Sequence, residues 1–171
     1  MFPFFRRLWR RTRMIVLVAA SAPIVGSPLR DTPQPQERRI EDPRIGRLAQ
    51  YFRNRNSPLE KYAREFVVAA EANGLDWRLL PSIATIESGA GVYARANNVF
   101  GWKSGRARFH SIPAAIQHVA QRLAYAPHYN GRGLREKLRI YNPARPAYAD
   151  CVLSVLDKVG PRRPILAAAA R

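Results

Sequence analysis

One glutamate in this 171-residue chain stands where a carboxyl group could act as an acid catalyst. Glu87 is the second-last residue of the run LLPSIATIES, in which Leu80, Ile83 and Ala84 recur at the spacing of an apolar helix face. The glycines that follow predict that the helix stops directly after the glutamate. Apolar surroundings disfavour the charged form of a carboxyl group. Glu87 is therefore our candidate for a general acid that works near neutral pH.

The chain before Glu87 predicts two helices joined by a tight turn. Ser57-Pro58-Leu59-Glu60 has the sequence of a capping box, with serine at the N-cap and glutamate three residues later. Asn73-Gly74 is typical of a helix stop in the left-handed conformation. Asp76 would cap the second helix, which carries Glu87. We expect the two helices to form an αα-hairpin.

The chain after Glu87 loses its helical periodicity as far as Phe109, and four glycines interrupt it. Residues 99–106, VFGWKSGR, predict a short β-hairpin with a glycine turn. Helical patterns return from Ser111 and again over residues 134–140 and 147–159. The predicted fold class is mostly α, an α+β arrangement with one small β excursion after the glutamate.

The N-terminal residues 1–26 predict an export segment. Five arginines precede the apolar run of residues 14–20, and Ala20-Ser21-Ala22 resembles a signal-peptidase site. The run is shorter than the ~20 residues that span a bilayer. Pro23 would hinder cleavage, so the segment is either a cleaved signal peptide or an uncleaved anchor. Both outcomes place the rest of the chain in the periplasm or cell envelope.

The rest of the chain divides by composition into three parts. Residues 27–46 are rich in proline and charge, which is typical of a linker. Residues 47–160 carry the helical patterns of a folded domain, and residues 161–171 predict a flexible tail.

Charge and cysteine content limit the partners and cofactors. The net charge of +17 would attract a polyanion, namely nucleic acid, anionic lipid or an acidic cell-wall polymer. No recognised DNA-binding motif is present, which argues against nucleic acid. Cys151 is the single cysteine, so no intrachain disulfide can form. The three histidines lack metal-ligand spacing, and we expect no metal and no cofactor.

Four blocks of sequence carry a resemblance to a known family. Residues 83–91, IATIESGAG, and 97–103, NNVFGWK, resemble the glutamate motif and the N-N-[LVI]-F-G segment of the bacterial glucosaminidase family, glycoside hydrolase family 73. Residues 109–116, FHSIPAAI, resemble that family's F-x-S-x-x-x-[AG]-[IV] helix start. Tyr141-Asn142-Pro143 and Tyr148-Ala149 resemble its closing Y-x-x-[DN]-P-x-Y-A motif, with a longer insert. The blocks extend from about residue 59 to residue 159.

The resemblance implies a lysozyme-like α domain that cleaves the β-1,4-linked glycan of peptidoglycan. It implies that Glu87 is the general acid and that Tyr141 orients the substrate's acetamido group. Sugars are held by aromatic faces and a few hydrogen-bonding groups, and this chain offers both kinds in Phe100, Trp102, Tyr129, Tyr141 and Tyr148 with Asn98. On the same resemblance the substrate-binding candidates are Ser88, Asn98, Phe100, Gly101, Trp102 and Tyr148.

One departure from two-carboxylate glycosidases concerns the second acid. Such enzymes place the partner carboxylate roughly 5–5.5 Å or 6.5–9.5 Å from the acid. Here no Asp or Glu occurs between Ser88 and Arg135. The sequence therefore predicts a mechanism with one carboxylate, completed by the substrate's N-acetyl group or by water.

Three other functions stay open at this point. A lytic transglycosylase or muramidase on the same fold would also use one glutamate. A wall-binding protein could keep the fold without catalysis, and a basic nucleic-acid binder would rely on charge alone. Our leading hypothesis is a monomeric endo-β-N-acetylglucosaminidase whose partner is the peptidoglycan glycan strand.

Overall fold

The computed structural model describes residues 42–162, and six α-helices make up most of that range. They are α1 Pro43–Arg53, α2 Ala63–Ala72, α3 Leu79–Ser88, α4 Ile112–Tyr125, α5 Leu134–Tyr141 and α6 Tyr148–Val159. A 3₁₀ turn, Glu60–Tyr62, precedes α2. The mostly helical class predicted from the sequence is confirmed. The predicted export segment, most of the linker and nearly all of the predicted tail lie outside the described residues.

Helix α1 begins four residues before the predicted start of the domain. Asp42 is its N-cap, with a carboxylate oxygen that accepts the Arg44 N–H at 2.9 Å. Pro43 occupies the first helical position, where a missing N–H costs nothing. A proline that looked like part of the linker therefore starts a helix.

Helix α3 runs through the centre of the core. Leu80, Ile83 and Ala84 are completely buried, and the helix packs most extensively along α6. An aromatic series formed by Phe52, Phe66 and Phe100 joins α1, α2 and the segment after α3, with ring centroids 5.4 and 6.2 Å apart. The burial of these apolar surfaces stabilises the position of the helix that carries Glu87.

The predicted capping box is not formed. Ser57 is buried, and its hydroxyl donates to the carbonyl oxygen of Ala90 at 2.5 Å while accepting the Leu59 N–H at 3.0 Å. Glu60 instead pairs with Arg53, so it does not reach back to the serine. Ser57 therefore ties the segment before the 3₁₀ turn to the segment after α3, and α2 begins only at Ala63.

The predicted β-hairpin is not formed either. Within the described residues no strand is present, and the segment from 89 to 111 consists of successive turns. Non-glycine residues in this segment repeatedly take positive φ, among them Ala90, Ala96, Asn97, Lys103 and Ser104. A backbone that enters the left-handed region so often cannot maintain extended strands.

The later helices follow the sequence pattern closely. Ser111 caps α4 with its hydroxyl accepting the Ala114 N–H at 3.2 Å, as the Ser-Ile-Pro sequence predicts. Helices α5 and α6 also begin within a residue of their predicted starts. Across residues 42–162, no helix is both long enough and apolar enough to span a bilayer.

Candidate functional site

Glu87 lies on the last turn of α3 and is partly buried. The helix ends there because Gly89 takes the left-handed conformation with φ of 58°, and the Ala90 N–H donates to the Ala84 carbonyl at 3.1 Å. This is the pattern of a Schellman stop. The stop fixes the backbone two residues beyond Glu87 and keeps this residue at the end of a rigid element.

A buried tyrosine hydroxyl holds one oxygen of the Glu87 carboxyl group. The Tyr148 hydroxyl donates to Oε1 at 2.6 Å, and Tyr148 is only 1% exposed. Tyr148 is the first residue of α6, the helix that packs along α3. The sequence analysis assigned Tyr148 to substrate binding, whereas the structure places it behind the carboxyl group.

The other carboxyl oxygen faces the backbone of Gly101. A Cβ atom added to Gly101 would lie 2.5 Å from Oε2 of Glu87. Gly101 also has φ of +60°, a conformation that side chains disfavour. The glycine is therefore required both by its own backbone and by the closeness of the glutamate.

Tyr141 and Tyr148 form a stacked pair beside Glu87. Their ring centroids are 5.8 Å apart and their planes differ by 5°. The Tyr141 hydroxyl donates to the Phe100 carbonyl at 2.6 Å, which links α5 to the turn before Gly101. Burial, and then the charge of Glu87, raise the pKa of Tyr141 well above its ordinary value. Burial and the hydrogen bond to Glu87 also raise the pKa of Tyr148, so both phenols stay protonated donors.

Three predicted substrate-binding residues are buried within the protein, which corrects the assignment from the sequence. The Ser88 hydroxyl lies 2.7 Å from the Val99 carbonyl and accepts the Gly91 N–H at 3.0 Å. Asn98 brackets the Trp102 backbone, donating to its carbonyl at 3.0 Å and accepting its N–H at 2.9 Å. Phe100 belongs to the core. All three hold the segment that carries Gly101 and Trp102.

An aromatic and cationic cleft of about 570 Å³ opens beside this segment. Gly101, Trp102 and Tyr141 line it, as the sequence analysis expected of a saccharide groove. The Trp102 ring centroid lies 5.6 Å from that of Tyr141 and 5.8 Å from that of His118. Tyr129, another aromatic residue suggested for the groove from the sequence, also lines it. The residues of the lining that the sequence did not indicate are Lys103, Ser104, His118, Arg122 and His128.

A signal for two of the missed residues was present in the sequence. His118 and Arg122 stand four residues apart on α4, so they share one face of the helix. Burial lowers the pKa of His118, and the charges of Arg122 and Lys103 lower it further. His118 is therefore neutral near pH 7 and can both donate and accept a hydrogen bond.

No acidic side chain is among the residues that line this cleft; Glu87 is not among them either, and its carboxyl group lies against the backbone of Gly101, which is. Six other acidic side chains of the described part pair with arginine: Asp42 and Glu71 with Arg44, Glu60 with Arg53, Asp76 with Arg78, Glu136 with Arg132, and Asp150 with Arg135. In residues 42–162, no three His, Cys, Asp or Glu side chains are grouped to bind a metal ion. The site therefore combines the Glu87 carboxyl group beside Gly101 with the phenols, imidazoles, hydroxyl and two cationic side chains of the cleft lining.

Comparisons with known proteins add no relative. No family model, no curated protein and no solved structure matches the chain. The resemblance to the glucosaminidase family rests on the sequence motifs alone.

Proposed function

We propose that this protein is an exported peptidoglycan hydrolase of the endo-β-N-acetylglucosaminidase type, with a lysozyme-like fold and Glu87 as its general acid. The observation that carries the proposal is the hydrogen bond from Tyr148 to Oε1 of Glu87, at the end of a buried helix and beside Gly101 of an aromatic cleft. The family resemblance supplies the substrate class.

The two oxygens of the Glu87 carboxyl group have different surroundings, and this difference suits proton transfer. Tyr148 occupies Oε1, so the proton to be donated belongs on Oε2, which faces Gly101. When Oε2 gives its proton to the glycosidic oxygen, the bond to the anomeric carbon breaks and Glu87 becomes a carboxylate. The Tyr148 hydroxyl stabilises that carboxylate without taking up charge itself.

The second half of the reaction needs a nucleophile, and the cleft lining holds no carboxylate to serve as one. The acetamido oxygen of the substrate would attack the anomeric carbon and form a cyclic intermediate, which water then opens. The water oxygen stays on the sugar, and its proton returns to Glu87. Tyr141 shapes this side of the cleft with its ring, because its hydroxyl is bonded to the Phe100 carbonyl.

The lack of an acidic residue in the cleft lining also favours a second candidate, a lytic transglycosylase. In that reaction a hydroxyl of the substrate's own muramic acid attacks the anomeric carbon, so no water has to be activated. Glu87 would accept the proton of that hydroxyl after donating its own.

Digestion of purified sacculi by the full-length protein tests both candidates. Mass spectrometry of the products should find reducing-end N-acetylglucosamine. Products with 1,6-anhydro-muramic acid ends would instead identify a transglycosylase.

Glu87→Gln tests catalysis by this residue and should reduce the digestion rate about 10²–10⁴-fold, the range typical of a lost general acid. Glu136→Gln is the matched control, because Glu136 is half-exposed and pairs with Arg132, whereas Glu87 accepts a hydrogen bond from the buried Tyr148. Unchanged digestion by the Glu87→Gln variant would refute the mechanism. If the wild-type protein digests nothing, the hypothesis of a hydrolase is refuted and that of a non-catalytic wall-binding protein remains.

A further inference from the structure

The cleft combines its aromatic surfaces with two cationic side chains. Lys103 follows Trp102 in the turn segment, and Arg122 lies one helical turn after His118 on α4. Both side chains are exposed, and neither has an acidic partner within residues 42–162. Two separate elements of the fold thus bring positive charge to one cleft.

His118 lies near both Lys103 and Arg122. Its ring contacts Trp102 edge-on, and both Lys103 and Arg122 lie close enough to affect its protonation. Since no acidic side chain lines the cleft, nothing in the lining neutralises the two cations. Charges of one sign in a cleft with aromatic walls concentrate the field there and attract a ligand of opposite charge.

We propose that Lys103 and Arg122 form a subsite for a carboxylate of the substrate, next to the sugar that packs against Trp102 and Tyr141. This inference rests on the proposed function, because peptidoglycan carries a lactyl carboxylate on alternate sugars, either free or extended by a stem peptide. A neutral glycan such as chitin lacks that group. The subsite would make the cleft select an acidic glycan over a neutral one and would set the register of the strand against Glu87.

The size of the effect follows from the exposure of the two cations. Ion pairs at exposed positions change an equilibrium constant by a factor of up to about five each. We therefore expect loss of both cations to weaken binding of an acidic strand by about tenfold. A strand without carboxylates should not be affected.

The test measures binding by the full-length protein with Glu87→Gln, which prevents turnover. The probes are glycan strands stripped of stem peptides, the same strands with their carboxyl groups converted to amides, and strands that keep their peptides. The test variant adds Lys103→Gln and Arg122→Gln. The control adds Lys61→Gln and Lys158→Gln, which remove the same charge at exposed positions outside the cleft lining.

The expected result is a loss of about tenfold in affinity for stripped strands, in the test variant alone, with no loss for amidated strands. A loss confined to peptide-bearing strands would also support the subsite and would assign the carboxylate to the stem peptide. Equal loss for amidated strands, equal loss in the control variant, or no loss in the test variant would overturn the subsite. Failure of the starting protein to bind any strand would instead refute the proposed function.

Discussion

Gly101→Ala should damage the site far more than its small size suggests. The added Cβ would lie 2.5 Å from Oε2 of Glu87, so the carboxyl group must retreat by about 0.9 Å to reach an ordinary contact. Its Oε1 is held at 2.6 Å by Tyr148, and a shift of that size would stretch or break this bond. A displacement of about 1 Å at a reacting group can lower a rate about 100-fold.

The backbone contributes a separate and smaller cost. Alanine in the left-handed conformation is destabilised by about 1–2 kcal/mol, and Gly101 has φ of +60°. Gly105→Ala is the matched control, because Gly105 has φ of +78° and nothing lies within 4 Å of its added Cβ. In urea unfolding both variants should lose about 1–2 kcal/mol of the free energy of unfolding through the backbone, and Gly101→Ala should lose more, because it also disturbs the hydrogen bond between Tyr148 and Glu87.

Digestion of sacculi should then separate the two variants. We expect Gly105→Ala to keep most of the wild-type rate and Gly101→Ala to lose about 100-fold at a temperature where both are folded. Equal rates in the two variants would refute the claim that Gly101 exists to admit the Glu87 carboxyl group.

Three further outcomes can be checked with the same assays. Ser88→Ala should lower the free energy of unfolding by about 2 kcal/mol, since it leaves buried backbone groups without partners. Tyr148→Phe should keep the fold in circular dichroism but reduce digestion more than tenfold, because Glu87 loses its hydrogen bond. Asp76→Asn should cost about 2 kcal/mol at pH 7 by breaking the buried pair with Arg78. Burial raises the pKa of Asp76, but the hydrogen bonds from Arg78 lower it by more. The pKa of Asp76 therefore lies below its usual value of 3.8. The free energy of unfolding lost by Asp76→Asn should therefore have its full value above about pH 4 and should become smaller as the pH is lowered.

The helical part of the fold could be predicted because its signals are local. The apolar spacing of α3, the cap at Ser111 and the stop after Ala72 all depend on residues a few positions apart. Ser57 shows the limit of such signals. Its neighbours have the sequence of a capping box, yet its hydroxyl bonds to Ala90, which is 33 residues away. A tertiary contact of that kind replaces a local one without leaving a trace in the pattern.

The segment after α3 was misjudged for a related reason. Alternating apolar residues and glycines around Trp102 predict a hairpin if only local propensity is considered. Asn98 instead closes a turn on the backbone of Trp102 through both of its amide atoms. Side-chain to backbone bonds of this kind compete with strand pairing, and here they prevail.

The candidate site was predictable in its central residue and less so in its surroundings. Gly101, Trp102 and Tyr141 line one cleft, and the Glu87 carboxyl group lies against Gly101. The role of Tyr148 could not be read from the sequence, because whether a tyrosine faces substrate or a carboxyl group depends on how α6 packs on α3.

The partner of Glu87 is itself an argument for the proposed chemistry. This chain has 29 basic and 12 acidic residues, and most acidic side chains of the described part pair with an arginine. Glu87 contacts a neutral phenol instead. An arginine would place a positive charge beside the carboxyl group, which a phenol does not. A tyrosine hydroxyl can donate to the protonated and the ionised carboxyl group alike, so Tyr148 is suited to hold Glu87 in place through both halves of a proton transfer.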